Sequence, residues 1–312
     1  MSIAPSANST IEGQVKAMNS RSAAAAPAQK QGVSVHRHAV PPARNVWVSR
    51  AGRIGLRLIV PLLLLAAWWA MSRTPINGLF IADPAAAFAR VFQDYLSANP
   101  RDFFLGPVAQ EHFLPSITRA LAGLALAILV GVSLGVALGV VPVLAALFQP
   151  LIHLGRSLPS PALLGVFFFL FGTGDSPKIF LIAFSVVWPI LFNTIHGVES
   201  IGANRAQAAA VFKIRSRDVL FRILLPGASP KIFAGIRTAL ALSLIVMIIS
   251  ELQRSENGLG YLLLSTQRDF DYTGFWAVLI VLALVGVTFN FVFTIIERRA
   301  LAWHRGATDQ HD

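Results

Sequence analysis

The chain has 312 residues, 55% of them hydrophobic and 13% charged, with a mean hydropathy of +0.63; soluble domains carry roughly 25% charge, so a surface exposed to water all round is excluded. The formal net charge of +11 would point to nucleic acid in a soluble protein, but the basic residues gather in the N-terminal tail, one internal loop and the C-terminal end, the pattern of a chain positive on one side of a membrane. Cysteine is absent, which excludes disulfides and thiolate metal sites.

Residues 1–50 are rich in Ala, Ser, Pro, Gln and basic side chains, show no sustained apolar period, and are expected to form a disordered cytoplasmic tail. The first apolar run begins near Leu58, behind that tail, so a retained first crossing is expected in place of a cleaved signal peptide. This run, 58–71, is short for a span and lies between Arg57 and Arg73, whose stems can snorkel to the two interfaces. From 75 to 114, prolines and charges interleave with Phe80, Phe88, Phe92, Tyr95 and Phe103, the composition of short interfacial helices. The whole segment 51–115 is therefore read as one crossing followed by an interfacial stretch.

A second span is expected over 117–141, where Gly123, Ala127, Gly131, Gly135 and Gly139 recur at every fourth position. That spacing lines one helix face with small residues, the pattern that lets another backbone approach closely. The third apolar stretch, 143–171, is interrupted by His153, Arg156, Pro159 and Pro161, and reads either as a kinked long helix or as two half-helices around a break. A fourth span is expected over 178–197, with Pro189, Asn193 and His196 inside it. Next comes 198–231, with Arg205, Lys213, Arg215, Arg217, Arg222 and Lys231 against Glu199 and Asp218; by the basic-loop bias it faces the cytoplasm. A fifth span over 232–252, an outer loop over 253–271, a sixth span over 274–296 and a short basic tail at 304–312 complete the series. Six crossings keep both termini and the basic loop on one side.

Within the loop, Gln207 to Pro226 read QAAAVFKIRSRDVLFRILLP. This resembles the cytoplasmic signature loop of bacterial ABC importer permeases, whose pattern is Glu-Ala-Ala, three residues, Gly, then a spacer ending in Leu-Pro. Ala208, Ala209, Leu225 and Pro226 stand at matching positions, whereas Gln207 replaces the family Glu and Lys213 the family Gly. The stretches LPSPALLGVFFFLFGTGDSPKIFLIAFSVVWPILFNTIHGV, ISELQRSENGLGYLLL and SITRALAGLALAILVGVSLGVALG are similar to the nitrate, sulfonate, taurine and bicarbonate branch. The resemblance implies an all-α integral membrane protein with the type I importer fold, its permease core over 116–303. It further implies a homodimer, two cytoplasmic ATPase subunits that use ATP and Mg, a periplasmic binding protein that delivers the solute, and an inner-membrane location. The signature loop would form a short coupling helix docked in the ATPase, with small alanines allowing close approach. Where the family Gly permits a turn through positive φ, Lys213 adopts that conformation less cheaply.

No GxxxxGK[ST] phosphate loop occurs in the sequence, so nucleotide binding is expected in a separate polypeptide and the chain is not expected to be an enzyme. Neither a metal-ligand spacing nor a Ser-His-Asp arrangement is discernible. Ionisable groups inside spans are functional candidates by default. With Val143 at the inner interface, Arg156 falls roughly 20 Å along the helix axis, beside the Pro159 break, where a guanidinium facing a central path would attract an anion. Glu251 closes the fifth span at its outer end and either gates the path or bonds the following loop. Asn193, His153 and His196 line the path or bond across helices. The competing reading, an ATP-independent secondary carrier or channel, calls for intramembrane carboxylates and an internal repeat of spans, and neither is visible.

Overall fold

The computed structural model describes residues 50–75, 77–97, 99, 104–201, 211–253 and 255–303. The expected tails and the positions Gln207, Ala208 and Ala209 lie outside these residues. One compact unit runs from Ile59 onward, and every contact below lies within it.

Helix α1 spans Arg50–Ser72. A 3-10 turn, Asn77–Leu79, leads to α2, Pro84–Tyr95, in which the Asp83 carboxylate accepts the Ala85 N–H at 2.8 Å and Pro84 occupies the first helical turn. That pairing of an acidic cap with a proline that has no N–H to lose is a strong start signal. After a π-helical turn, Ala109–Phe113, α3 covers Leu114–Val140.

The third apolar stretch is two half-helices. Helix α4, Pro142–Ser157, stops before Pro159; a 3-10 turn, Ser160–Leu163, follows, and then α5, Leu164–Phe171. The two limbs meet at 89°. Pro159 and Pro161 cannot donate to a helical ladder, and each biases its preceding residue toward extended backbone; Leu158 accordingly sits at φ −72°, ψ 122°.

Helix α6, Ser176–Glu199, runs parallel to α3. Gly123 faces Ile182, Gly131 faces Ile190, Gly135 faces Thr194 and Gly139 faces Val198, and both series advance by four residues per step. Because α3 and α6 point the same way, the bent α4–α5 pair must carry the chain back along the bundle. Helix α7, Leu225–Leu252, lies antiparallel on α6, with Gly197 against Ala228 and Gly235 against Pro189 and Asn193. A helical turn at Ser216–Asp218 and a π-helical turn at Val219–Leu224 join it without a gap, so helix occupies part of the expected loop 198–231. Leu225 and Pro226 therefore lie inside a continuous helix, directly after its π-helical turn.

The expected outer loop contains α8, Leu259–Arg268, entered through Gly258 at φ +114°. Last comes α9, Tyr272–Ala300. Trp68 of α1 stacks on Trp276 of α9 at 4.9 Å, and their indole N–H groups donate to Ala82 O and Phe80 O respectively, which seats the end of α1 beside the start of α9.

By length and composition four helices suffice to cross a membrane: Ala109–Val140, Ser176–Glu199, Ser216–Leu252 and Tyr272–Ala300, with the bent pair a fifth. The expected sixth is the first in the chain. Its described apolar part, Ile59–Ser72, covers about 20 Å at 1.5 Å per residue, short of a ~30 Å hydrocarbon layer.

Candidate functional site

The small-residue face of α3 is packed at every turn. A methyl group added to Gly123 would lie 2.6 Å from Ile182 Cγ2, and one added to Gly135 would lie 2.6 Å from Thr194 Cβ. Ala127 is buried in the same cluster as Val186, which fills the remaining step of the register. Glycine at these positions and alanine at 127 leave just the room that α6 needs, so the two helices form a seam through dispersion contact.

At the end of the bundle where α3 and α6 begin, a buried polar cluster joins five segments. Arg119 of α3 donates Nη1 to Glu251 Oε1 at 2.7 Å and Nε to Asp175 Oδ1 at 2.7 Å, and it also bonds the Asn257 side chain and carbonyl. Glu251, the end of α7, accepts from Ser116 Oγ and from the Gly260 N–H at 3.0 Å. Ser116 Oγ also receives the Leu259 N–H at 2.7 Å, His112 Nδ1 receives the Gly258 N–H at 3.2 Å, and Lys178 Nζ donates to Ser255 Oγ at 2.6 Å. Arg119 and Glu251 are both buried. The first N–H groups of α8, orphans of any helix start, thus end on side chains of α3 and α7. Glu251 bonds the segment that follows it; Arg119, inside the expected second span, is a participant that the sequence reading passed over.

The bent pair packs along α6, its second limb on Phe180 and Phe184 and its first limb on the middle of the helix. Gly155 sits against the Trp188 ring with no space for a side chain. One residue later, Arg156 holds its guanidinium 4.6 Å above the Phe192 ring, an arrangement favoured by the ring quadrupole. Among the described residues Arg156 forms no hydrogen bond or ion pair. Pro159 stays exposed at the break, its carbonyl receiving the Ala162 N–H. Asn193 donates to Pro189 O at 2.8 Å and packs beside Gly235, in the α6–α7 contact. His196 bonds Phe192 O through Nδ1 at 2.9 Å, and the His153 ring is exposed.

Of the signature segment, Lys213 is described with φ +51°. This is the left-handed region that favours glycine, so the lysine carries the strain of the turn. Leu225 and Pro226 are the tenth and eleventh residues of the returning helix that starts at Ser216, just past the π-helical turn.

The profile of the family described as binding-protein-dependent transport system inner membrane component matches residues 113–301. The chain belongs to this family. It is accordingly an ABC transporter permease, a multi-pass protein of the inner membrane. The taurine transport system permease protein TauC of Escherichia coli is 28% identical over 242 residues, covering 77% of this chain and 86% of the relative. The nitrate import permease protein NrtB of Leptolyngbya laminosa is 27% identical over 186 residues, covering 60% and 67%. Among solved structures, a chain of the MetNI methionine ABC transporter in inward-facing conformations superposes with a TM-score of 0.55 at 17% identity, covering 61% of this chain and 94% of that one. That likeness concerns the fold alone.

Proposed function

We propose that this permease works as a homodimer with two ATPase subunits and imports a small anion delivered by a periplasmic binding protein. The solute belongs to the taurine, sulfonate, nitrate and bicarbonate class, as the names of the taurine and nitrate relatives suggest. ATP and Mg are used by the partner, which grips the segment 198–231 through Gln207, Ala208 and Ala209. The first helix is the sixth crossing, and both termini lie in the cytoplasm.

Arg156 carries the substrate reading. A guanidinium has five N–H donors and no acceptor, and beside a break in a span it offers them, with no protein acceptor among the described residues, to a planar or tetrahedral oxyanion. The Trp68–Trp276 stack supports the sixth crossing, since it sets the end of α1 where α9 begins.

Reconstitution with the ATPase and binding protein tests the reading. ATP-dependent uptake of a sulfonate or nitrate is expected in vesicles, with Arg156→Leu abolishing uptake while the assembled complex is recovered intact; full uptake by that variant removes the pathway role. Ala209→Arg should release the ATPase during purification, and its retention would displace the coupling surface. Because the chain has no cysteine, a single Lys213→Cys should label from the cytoplasmic face, and labelling from the periplasmic face alone overturns the orientation.

A further inference from the structure

On α4, Gln149, His153 and Arg156 are spaced by four and three residues; on α6, Phe192, His196 and Glu199 are spaced the same way. Such spacing puts each trio on one helix face. A cavity of about 400 Å³ opens between the two helices, and Gln149, His153, Phe192, His196 and Glu199 all line it. Arg156 stands outside the lining itself, its guanidinium over the ring of the lining residue Phe192. Glu199 stands two turns further along α6, exposed, and forms no ion pair or hydrogen bond among the described residues. The cavity thus lies between a cation and an anion that have no ionic partner among the described residues, with imidazole and amide groups between them.

We propose that the α4–α6 cavity binds a short zwitterion, a sulfonate or carboxylate with an ammonium two or three atoms away, with Arg156 holding the anionic end and Glu199 the ammonium. This rests on the reading of the chain as a permease for small anions and narrows it to aminoalkanesulfonates and their carboxylate analogues. Phe192 and Glu199 are two turns apart, roughly 10 Å along the axis at 1.5 Å per residue. A charge-assisted hydrogen bond at each end takes about 2.8 Å, leaving about 4–5 Å for the ligand's own charge separation, the length of a two-carbon spacer. A simple anion such as nitrate would meet only Arg156 and would feel Glu199 as a repulsion.

Binding can be read without the other subunits. The full chain in detergent micelles is probed by saturation-transfer difference NMR with taurine and with isethionate, which has the same skeleton with a hydroxyl in place of the ammonium. Taurine should bind about tenfold more tightly than isethionate. Glu199→Gln should weaken taurine to the isethionate level and leave isethionate unchanged or slightly tighter as the repulsion is lifted, Glu199→Asp should restore most of the difference, and Arg156→Gln should weaken both. Equal affinity of the wild type for the two probes, an identical response of both to Glu199→Gln, or no saturation transfer to either overturns the proposal. Vesicle uptake of nitrate or sulfonate reports separately on the broader reading, so anion uptake without taurine preference removes this site and leaves that function standing.

Discussion

Arg119 and Glu251, 132 residues apart in the chain, meet at 2.7 Å with both side chains buried. The pair closes one end of the bundle by tying α3 to α7, and Asp175 and Asn257 take the remaining guanidinium donors. Taking such charges out of water is costly, and removal of one partner strands the other. Glu251→Ala should lower the unfolding free energy of the detergent-purified chain by about 3–5 kcal/mol, whereas the double change Arg119→Met, Glu251→Met should recover a large part of that loss. A double variant as unstable as Glu251→Ala would show that the backbone bonds to α8, and not the charge pair, hold this end together.

The α3–α6 seam predicts opposite outcomes for two glycines. Gly135→Ala places a methyl 2.6 Å from Thr194 Cβ and should cost about 1–3 kcal/mol through overpacking. Gly286 in α9 has nothing within 4 Å, so Gly286→Ala should be neutral or should gain up to about 1 kcal/mol of helix propensity. Thermal unfolding of the two variants side by side checks the contrast.

Lys213 at φ +51° sits in a region that costs a non-glycine residue about 1–2 kcal/mol. Lys213→Gly should relieve that strain, seen as slower proteolysis of the segment around it, while Lys213→Val, β-branched and worse in this region, should speed it. No difference between the two would mean the turn is not held in this conformation in the working protein.

The Tyr95 hydroxyl is buried with no partner among the described residues, and burial together with nearby Asp94 pushes its pKa well above the usual tyrosine range. An unpaired buried hydroxyl costs about 1–3 kcal/mol, so Tyr95→Phe should stabilise the chain by about 1 kcal/mol. The pH dependence has a definite sign: above about pH 10 the unfolded tyrosine ionises while the folded one keeps its proton, so stability falls as pH rises. Tyr95→Phe should remove that alkaline component, and its persistence in the variant would assign it elsewhere.

The helix seam could be read from the sequence because small residues at every fourth position declare a face without reference to a partner. The break at Pro159 was legible for a similarly local reason, although the choice between a kink and two limbs needed the 89° angle. Arg119 shows the opposite case. A charge inside an apolar run announces a function or a partner, but Asp175 and Glu251 lie 56 and 132 residues away, and nothing local names them. Helix α8 was hidden behind the mixed charge around it; its first N–H groups are satisfied by Ser116 and Glu251, side chains from other helices and not a cap of its own. The α4–α6 cavity escaped because two ordinary i, i+4, i+7 rows acquire meaning only once they face each other.

The matched four-residue steps of α3 and α6 have a mechanical consequence. Ridge and backbone mesh at Gly123, Gly131, Gly135 and Gly139, so the two helices cannot slide past one another by less than a whole turn without collision. In the proposed transport cycle the two helices therefore swing as one beam, with the give placed in the jointed α4–α5 limb.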